Sequence, residues 1–503
     1  MAIVRKKAGY CQLNHPDRTD APSMAECLNT LILNRPEFSL MHPSELLRTK
    51  VINADHVLSN HGLRRVLGPF DLTLLGIGAI IGAGIFVLTG VAAATQAGPA
   101  IILSYVIAGI ACAFSALAYA ELAASVGGCG SAYGYSYAGL GEIIAWIIGW
   151  DLILEYGVAV SAVAIGWSAY VNNALAAVGL ALPEVLVKGP LEGGWLNLPA
   201  TLIVLILAGL LSLGVRESVR VNAVMVFVKL VAITIFIAVA ASHVEPAHWT
   251  PFMPFGWSGV MGGAALIFFA YVGFDAVSTA AEEAHNPQRD LPIGILASLV
   301  ICTLIYIIVA GLLTAVVAYP TLNVGSPVAD VMLRLGYPWA AGVIAAGAIA
   351  GLTTVMLVLY YGLTRVFLAM SRDGLLPPLF AQVNPRTHTP TRVIMVSGLL
   401  MATIAGLTPI GDVAELVNIG TLAAFFLVCI GVVSLRYTHP DLPRPFKTPW
   451  SPIVPLMGAT SCFILMLNLP LITWLRFLIW LLLGLAIYFL YSRQHSLLAT
   501  ASE

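Results

Sequence analysis

From Phe70 to Ser492 the chain alternates long apolar runs with short polar connectors. The runs fall at about 71–94, 98–124, 140–175, 197–214, 220–241, 257–282, 291–318, 339–371, 392–408, 412–437, 453–471 and 474–492. Each approaches the ~20 residues with which a helix crosses about 30 Å of hydrocarbon. The third and eighth are longer, which implies tilt or extension beyond a bilayer. Two runs carry signs of interruption. Leu75–Gly90 reads LGIGAIIGAGIFVLTG, apolar but with five glycines. Such glycines let the backbone be approached closely or leave helical geometry. Lipid cannot satisfy bare amides, so a break around Gly82, Ala83 and Gly84 must face protein or a cavity. The same small residues would also serve a close helix–helix packing seam. The sixth run, Ala265–Glu282, reads ALIFFAYVGFDAVSTAAE, with Gly273 ahead of Phe274 and Asp275. Interrupted runs at corresponding positions of two five-run halves point to an inverted repeat with a binding site at the repeat interface.

Twelve runs put both ends on one side. Counted from Arg48, about 14 Lys and Arg fall on the side of the N-terminus, including Arg220, Arg289, Arg372 and Arg436. About three fall opposite, Lys188, Arg334 and Arg476. Both termini are therefore predicted to be cytoplasmic. Composition agrees with a membrane protein: 59% hydrophobic residues, 10% charged and a mean hydropathy of +0.91, where a soluble domain carries roughly a quarter charged residues. A net charge of −1 argues against a nucleic-acid partner. The seven cysteines form no CxxC or Cys/His cluster, so neither a disulfide framework nor a metal site is indicated, and no cofactor is expected. Residues 1–68 are polar and mixed, without the apolar core of a signal peptide. They read as a cytoplasmic tail, with Met41 an alternative start.

Several stretches resemble one known family. GIGAIIGAGIFVLTG in the first run, GWDLILEYGVAVSAVA in the third and FFAYVGFDAVSTAAEEAHNPQRDLPIGI from the sixth into the seventh are similar to the amino acid–polyamine–organocation superfamily. TRVFLAMSRDGLLPPLFAQVNPRTHTPTR after the eighth run resembles the cationic amino acid transporter family, bacterial type. The resemblance spans about Leu63 to Arg493. It implies an all-α integral membrane protein of twelve transmembrane helices, a five-plus-five inverted repeat with broken helices 1 and 6. The layout becomes a tail at 1–68, repeats at 69–241 and 255–437, two peripheral helices at 453–492 and a cytoplasmic tail at 493–503. The implied activity is alternating access around a mid-membrane site for an α-amino acid in the plasma membrane. Bacterial members of this family include carriers of neutral amino acids.

Free amides at Gly82, Ala83 and Gly84, beside Ile81, suit a substrate carboxylate without placing a fixed charge in the membrane. By resemblance, carbonyls around Phe269 and Ala270 take the ammonium, and Phe269 covers the substrate. Asp275, costly in hydrocarbon, is expected to face the cavity or a partner and to stabilise the broken helix or relay charge. Asp151 and Glu155 share a face of the third run. The family places a carboxylate near the substrate path at Glu155, while Asp151 lies nearer the cytoplasmic end, as a solvated terminus would. Leu359 falls where the eighth-run residue sets pocket depth, and its bulk favours small or medium neutral side chains over arginine. Glu155 is the counter-argument, since a carboxylate there welcomes a cation.

Lys229 sits inside VNAVMVFVKLVAITIFIAVA, about 12 Å from that run's start by helical rise. Snorkelling from there is difficult, so its ammonium needs an acceptor. In some superfamily members a lysine in the fifth helix takes the place of sodium between helices 1, 5 and 8. The resemblance therefore implies proton coupling through Lys229, with a structural cation as the alternative. Thr353 and Thr354 are expected to accept its hydrogen bonds. Arg365 is expected to snorkel or to pair with a loop carboxylate. The leading expectation is proton-coupled uptake of neutral L-amino acids. Alternatives are a cationic amino acid carrier, an exchanger, or a membrane amino acid sensor. No nucleophile–base pair, metal cluster or phosphate loop points to an enzyme, and nothing advertises a channel filter. On a small membrane subunit the sequence is silent.

Overall fold

A computed structural model describes residues 48–49, 65–126, 131–177, 179–180 and 182–500. The tail predicted at 1–68 therefore lies outside the described residues except at its end, as do residues 501–503 of the C-terminal tail. Prolines open several of the helices: their missing N–H falls where a helix start has no intrahelical acceptor. Thus α1 begins at Pro69 and runs Pro69–Ile80. After a break, π-helical and α-helical turns follow over Gly84–Leu88, Thr89–Ala92 and Ala93–Ala97. Next come α2 (Ile101–Ser125), the short α3 (Ala132–Gly139) and α4 (Glu142–Ala177). Helix α5 (Leu198–Leu213) is capped by the Asn197 side chain, which accepts from Ala200 N–H at 3.3 Å. Helix α6 spans Val215–Ala240, starting earlier than the apolar run predicted.

The second half continues with α7 (Gly256–Ile267), a 3₁₀ turn at Phe268–Tyr271 and a longer 3₁₀ stretch at Asp275–Glu283. Then follow α8 (Pro287–Val316), a short α9 (Pro327–Arg334), α10 (Pro338–Arg372), α11 (Thr391–Leu407), α12 (Ile410–Thr438), α13 (Ile453–Leu467) and α14 (Leu471–Ile487). Helices α3 and α9 lie between the apolar runs, where the hydrophobic pattern alone gave no sign of them.

Among the described residues, eight helical segments are long and apolar enough to cross a membrane, and α5, α11 and α13 are shorter apolar helices. Burial divides them into two kinds. The segments containing α1 and α7 are 78% and 83% buried over their most apolar windows, whereas the one containing α14 is 22% buried. The first two are apolar all round and enclosed by protein; the last turns its apolar side chains outward. Val224, Phe227 and Val231 on α6, and Leu399 and Leu400 on α11, likewise stand exposed.

Two tryptophans fix α14 against α4. Trp150 and Trp480 stack at 4.4 Å, and each indole N–H donates to the other's backbone carbonyl, at 2.9 and 3.1 Å. Trp146 donates to Gly484 O at 2.9 Å. A side chain at Gly484 would enter the Trp150 indole. Gly484→Leu is therefore expected to cost about 1–3 kcal/mol by overpacking. Thermal unfolding of the purified protein in detergent checks this; an unchanged melting temperature would contradict the contact.

Candidate functional site

The first break is narrower than the glycine pattern suggests. Ile81 N–H closes α1 onto Ile77 O at 3.1 Å, and Ile81 is extended, with ψ 99°. Gly82 follows, and Ala83 already has helical angles. Phe86 N–H returns to Gly82 O at 3.2 Å. The interruption thus centres on Ile81–Gly82 rather than Gly82–Gly84. The N–H groups of Gly82, Ala83 and Gly84 are those a new helix start leaves without intrahelical acceptors. On the other side of the break the carbonyls of Gly78 and Ile81 are left over, and Ile77 O, already accepting Ile81 N–H, keeps a second lone pair.

Lys229 of α6 takes those carbonyls. Its fully buried ammonium shares three protons among four oxygens within hydrogen-bond distance: Ile77 O at 2.9 Å, Gly78 O at 3.1 Å, Ile81 O at 2.9 Å and Thr354 Oγ1 of α10 at 2.9 Å. Thr354 also lies 2.9 Å from Gly78 O. One charge thereby ties α6 and α10 to the end of α1. Thr353 does not join this set: it donates to Ile349 O and accepts from Trp167 Nε1 at 2.9 Å. The adjacent hydroxyls point to different faces of α10, so only one reaches the ammonium.

The second break falls at Val272–Gly273. Val272 is extended and Gly273 has φ 114°, a region open to glycine and strained for other residues. Asp275 closes the turn, its Oδ1 accepting Gly273 N–H at 3.3 Å while Oδ2 accepts the Tyr156 hydroxyl of α4. The two breaks touch. A side chain at Gly84 would overlap Ala270. The Tyr306 hydroxyl of α8 sits 2.6 Å from Ile80 O and 2.9 Å from Ala270 O, sharing its single proton between the two broken segments.

Ile81, Gly82, Ala83, Gly84, Ala270, Asp275 and Lys229 therefore meet around one pair of breaks. Phe269 and Leu359 are both buried, at 8% and 1% exposure. Glu155 is fully buried, and among the described residues neither of its carboxylate oxygens has a hydrogen-bond partner. It lies within electrostatic reach of Asp275 and Asp151. Asp151 is not a solvated helix end; it is 2% exposed, with its carboxylate against Gly420 of α12.

On the side of residues 65–68 the site is sealed. Arg365 is buried rather than snorkelling: its guanidinium meets Glu283 Oε1 at 2.5 and 3.1 Å, and Tyr361 donates to Glu283 Oε2 at 2.6 Å. The Glu283 carbonyl accepts Val66 and Leu67 N–H at 2.9 and 3.0 Å, so the chain ahead of α1 is clamped to the end of the sixth segment. Arg372 adds a second pair with Glu282 at 3.1 Å. Tyr306, Tyr156, Glu283 and Asn222 escaped the sequence reading. Asn222 carried a usable signal, lying seven residues before Lys229 and so on its face of α6; its Nδ2 reaches Leu74 O at 3.3 Å.

Broken helices packed break to break, enclosed by helices with lipid-facing apolar sides, define a multi-pass membrane permease. The family profile for amino acid permeases matches residues 67–497. The chain belongs to that family; it is a permease, not an enzyme. It is 52% identical over 439 residues to the branched-chain amino acid permease BcaP of Bacillus subtilis, covering 86% of this chain and 94% of that one. It is 50% identical over 458 residues to a methylthioribose transporter of Bacillus subtilis, covering 90% and 99%. The vacuolar cationic amino acid transporter 4 of Arabidopsis thaliana is 37% identical over 409 residues, 79% of this chain and 68% of that one.

Tyr306→Phe removes the donor from two buried carbonyls, a loss of about 1–3 kcal/mol. A lower melting temperature and slower substrate uptake are expected together. Unaltered uptake in vesicles would show that the two breaks do not depend on that hydroxyl.

Proposed function

We propose that this protein carries neutral L-amino acids into the cell by alternating access, coupled to protons through Lys229. The carrying observation is the Lys229 ammonium, which occupies the oxygen cage formed by the end of α1 and Thr354. A fixed cation there replaces a bound metal ion, and a lysine, unlike a metal ion, can give up its charge by losing a proton. Hydrogen bonds to a charged donor contribute roughly 1.5–3 kcal/mol each. Protonated, Lys229 holds α1 against α6 and α10; deprotonated, it loses its charge and one donor, and the balance shifts toward an arrangement with α1 released.

The substrate's carboxylate is assigned to the N–H groups of Gly82, Ala83 and Gly84. Its ammonium is assigned to the carbonyls at Phe269 and Ala270; Ala270 O keeps a lone pair beside Tyr306. Glu155, without a donor of its own, complements that positive end, and Asp275 holds the break open. Phe269 covers the substrate, and Leu359 limits the pocket to side chains without a guanidinium. Similarity to a branched-chain amino acid permease supports the neutral class.

Twelve crossings fit the structure: the 57-residue segment Pro69–Ser125 is long enough for two passes, and three shorter helices join the remaining seven segments. The breaks then fall in crossings one and six, as a five-plus-five repeat requires. The excess of Lys and Arg on the side of residues 65–68 makes that side cytoplasmic in the plasma membrane.

Proteoliposomes with an imposed pH gradient, acid outside, are expected to accumulate substrate with or without sodium, and Lys229→Gln is expected to abolish the pH-driven part. Sodium-driven accumulation with pH-driven uptake intact in Lys229→Gln would sink the coupling. Counterflow without any pH dependence would identify an exchanger instead.

A second reading is favoured by one observation, the 50% identity to a methylthioribose transporter over nearly that protein's whole length. A thio-sugar has neither carboxylate nor ammonium, so the two readings separate cleanly. Leucine and alanine are expected to compete at least about tenfold better than arginine or methylthioribose, a difference of about 1.4 kcal/mol. Competition by methylthioribose alone would replace the amino acid reading, and by arginine alone the neutral one.

A further inference from the structure

The connection from the sixth segment into α8 carries a polar and then an apolar surface that the transport site does not use. Asn286, Gln288 and Arg289 line a groove of about 620 Å³ together with Ile293, Leu296 and Phe446. Phe446 comes from the loop between α12 and α13, so two distant parts of the chain build one groove.

Charge at its mouth is uncompensated. Arg289 is exposed, and among the described residues no carboxylate pairs with its guanidinium. The neighbouring Asp290 is buried and accepts Asn286 N–H at 3.1 Å. Glu282, the nearby acid of the sixth segment, is paired with Arg372. Lys447, exposed and next in sequence to Phe446, lines a second hollow of about 410 Å³ together with Arg436 and Arg444. Those two arginines are committed to Glu121, at 2.7 and 3.6 Å. Arg289 and Lys447 are thus left as two cations facing outward without partners among the described residues.

Below the mouth the surface becomes apolar. Ile293, Val300, Leu304 and Ile308 are 40%, 58%, 57% and 46% exposed, and their spacing puts them along one stripe of α8. A free anion would use the cations and leave the stripe bare. A molecule with a phosphate at one end and hydrocarbon at the other uses both.

We propose that this groove binds an anionic glycerophospholipid, its headgroup phosphate on Arg289 and Lys447 and an acyl chain along Ile293, Val300 and Leu304. Basic pockets at the cytoplasmic ends of membrane helices suit such headgroups, and the volume is that of a ligand site. The placement in the cytoplasmic leaflet rests on the orientation proposed above. The groove lies one turn past Glu283, and its far wall is tied to α2 through Thr448 N–H on Glu121 at 2.7 Å. A bound lipid therefore bridges the end of the sealing segment and the α2–α12 side of the molecule.

Native mass spectrometry of the purified full chain, titrated with phosphatidylglycerol or phosphatidylcholine, tests this independently of any transport assay. Phosphatidylglycerol is expected to remain bound at least fivefold more than phosphatidylcholine. Arg289→Gln combined with Lys447→Gln is expected to erase that preference, while Arg289→Lys retains most of it. Circular dichroism and counterflow uptake in phosphatidylcholine vesicles establish that the variants are folded. Equal retention of the two lipids, an unchanged preference in the double variant, or displacement of the lipid by inorganic phosphate would each overturn the proposal. Absence of pH-driven uptake in the parent protein with the lipid preference intact would instead count against the coupling role of Lys229.

Discussion

A charged amine cannot be left bare inside an apolar protein, and carbonyls cannot be left bare at a helix break in lipid. Lys229 and the end of α1 solve each other's problem. The ammonium shares three protons among the carbonyls of Gly78 and Ile81, the second lone pair of Ile77 O, and the Thr354 hydroxyl oxygen from α10. Remove the charge and the break loses its acceptors' partner; close the break and the charge loses its cage. Three helices distant in sequence are held in register by this one exchange.

The second break is stabilised by different means that serve the same accounting. Gly273 supplies the backbone angle, Asp275 supplies an acceptor for Gly273 N–H, and Tyr156 holds Asp275 in turn. Tyr306 then links the two breaks through Ile80 O and Ala270 O. Among the described residues, the buried oxygens without a partner include both of the Glu155 carboxylate, Asp151 Oδ1 and Asn222 Oδ1. Glu155 differs from the others in having both carboxylate oxygens unbonded, which leaves its acceptor capacity open. Glu283 and Arg365 meanwhile tie the residues ahead of α1 to the end of the sixth segment.

Much of this was legible in the sequence because membrane burial makes exceptions conspicuous. A lysine in an apolar run, glycines clustered in the first run and an aspartate after a glycine in the sixth each break a rule that lipid enforces strictly, and each lies at the site. The relative placement of Lys229, Thr354 and the first break followed from the family resemblance, not from spacing. What stayed hidden was geometry at the level of single residues. Ile81 rather than Gly84 bears the extended angle, because a glycine permits a break without dictating where it falls. Thr353 and Thr354 look alike in sequence, yet a rotation of about 100° around α10 sends them to different partners. For Arg365 the sequence offers snorkelling or a carboxylate partner without naming one; that partner, Glu283, lies 82 residues away and only folding brings them together. Tyrosines such as Tyr306 and Tyr156 were invisible because their rings suit an apolar helix whatever their hydroxyls do.

The charge on Lys229 holds α1 in place, and this can be measured directly. Spin labels at Phe70→Cys and Leu379→Cys, both exposed positions near the ends of α1 and α10, would report the distance across that side by pulsed electron resonance in a background freed of the native cysteines. The account predicts a single short distance at low pH and a growing longer-distance population as pH rises. It also predicts that Lys229→Gln removes the pH dependence. A distance distribution that shifts with pH equally in Lys229→Gln, or that does not shift at all in the parent protein, would contradict it.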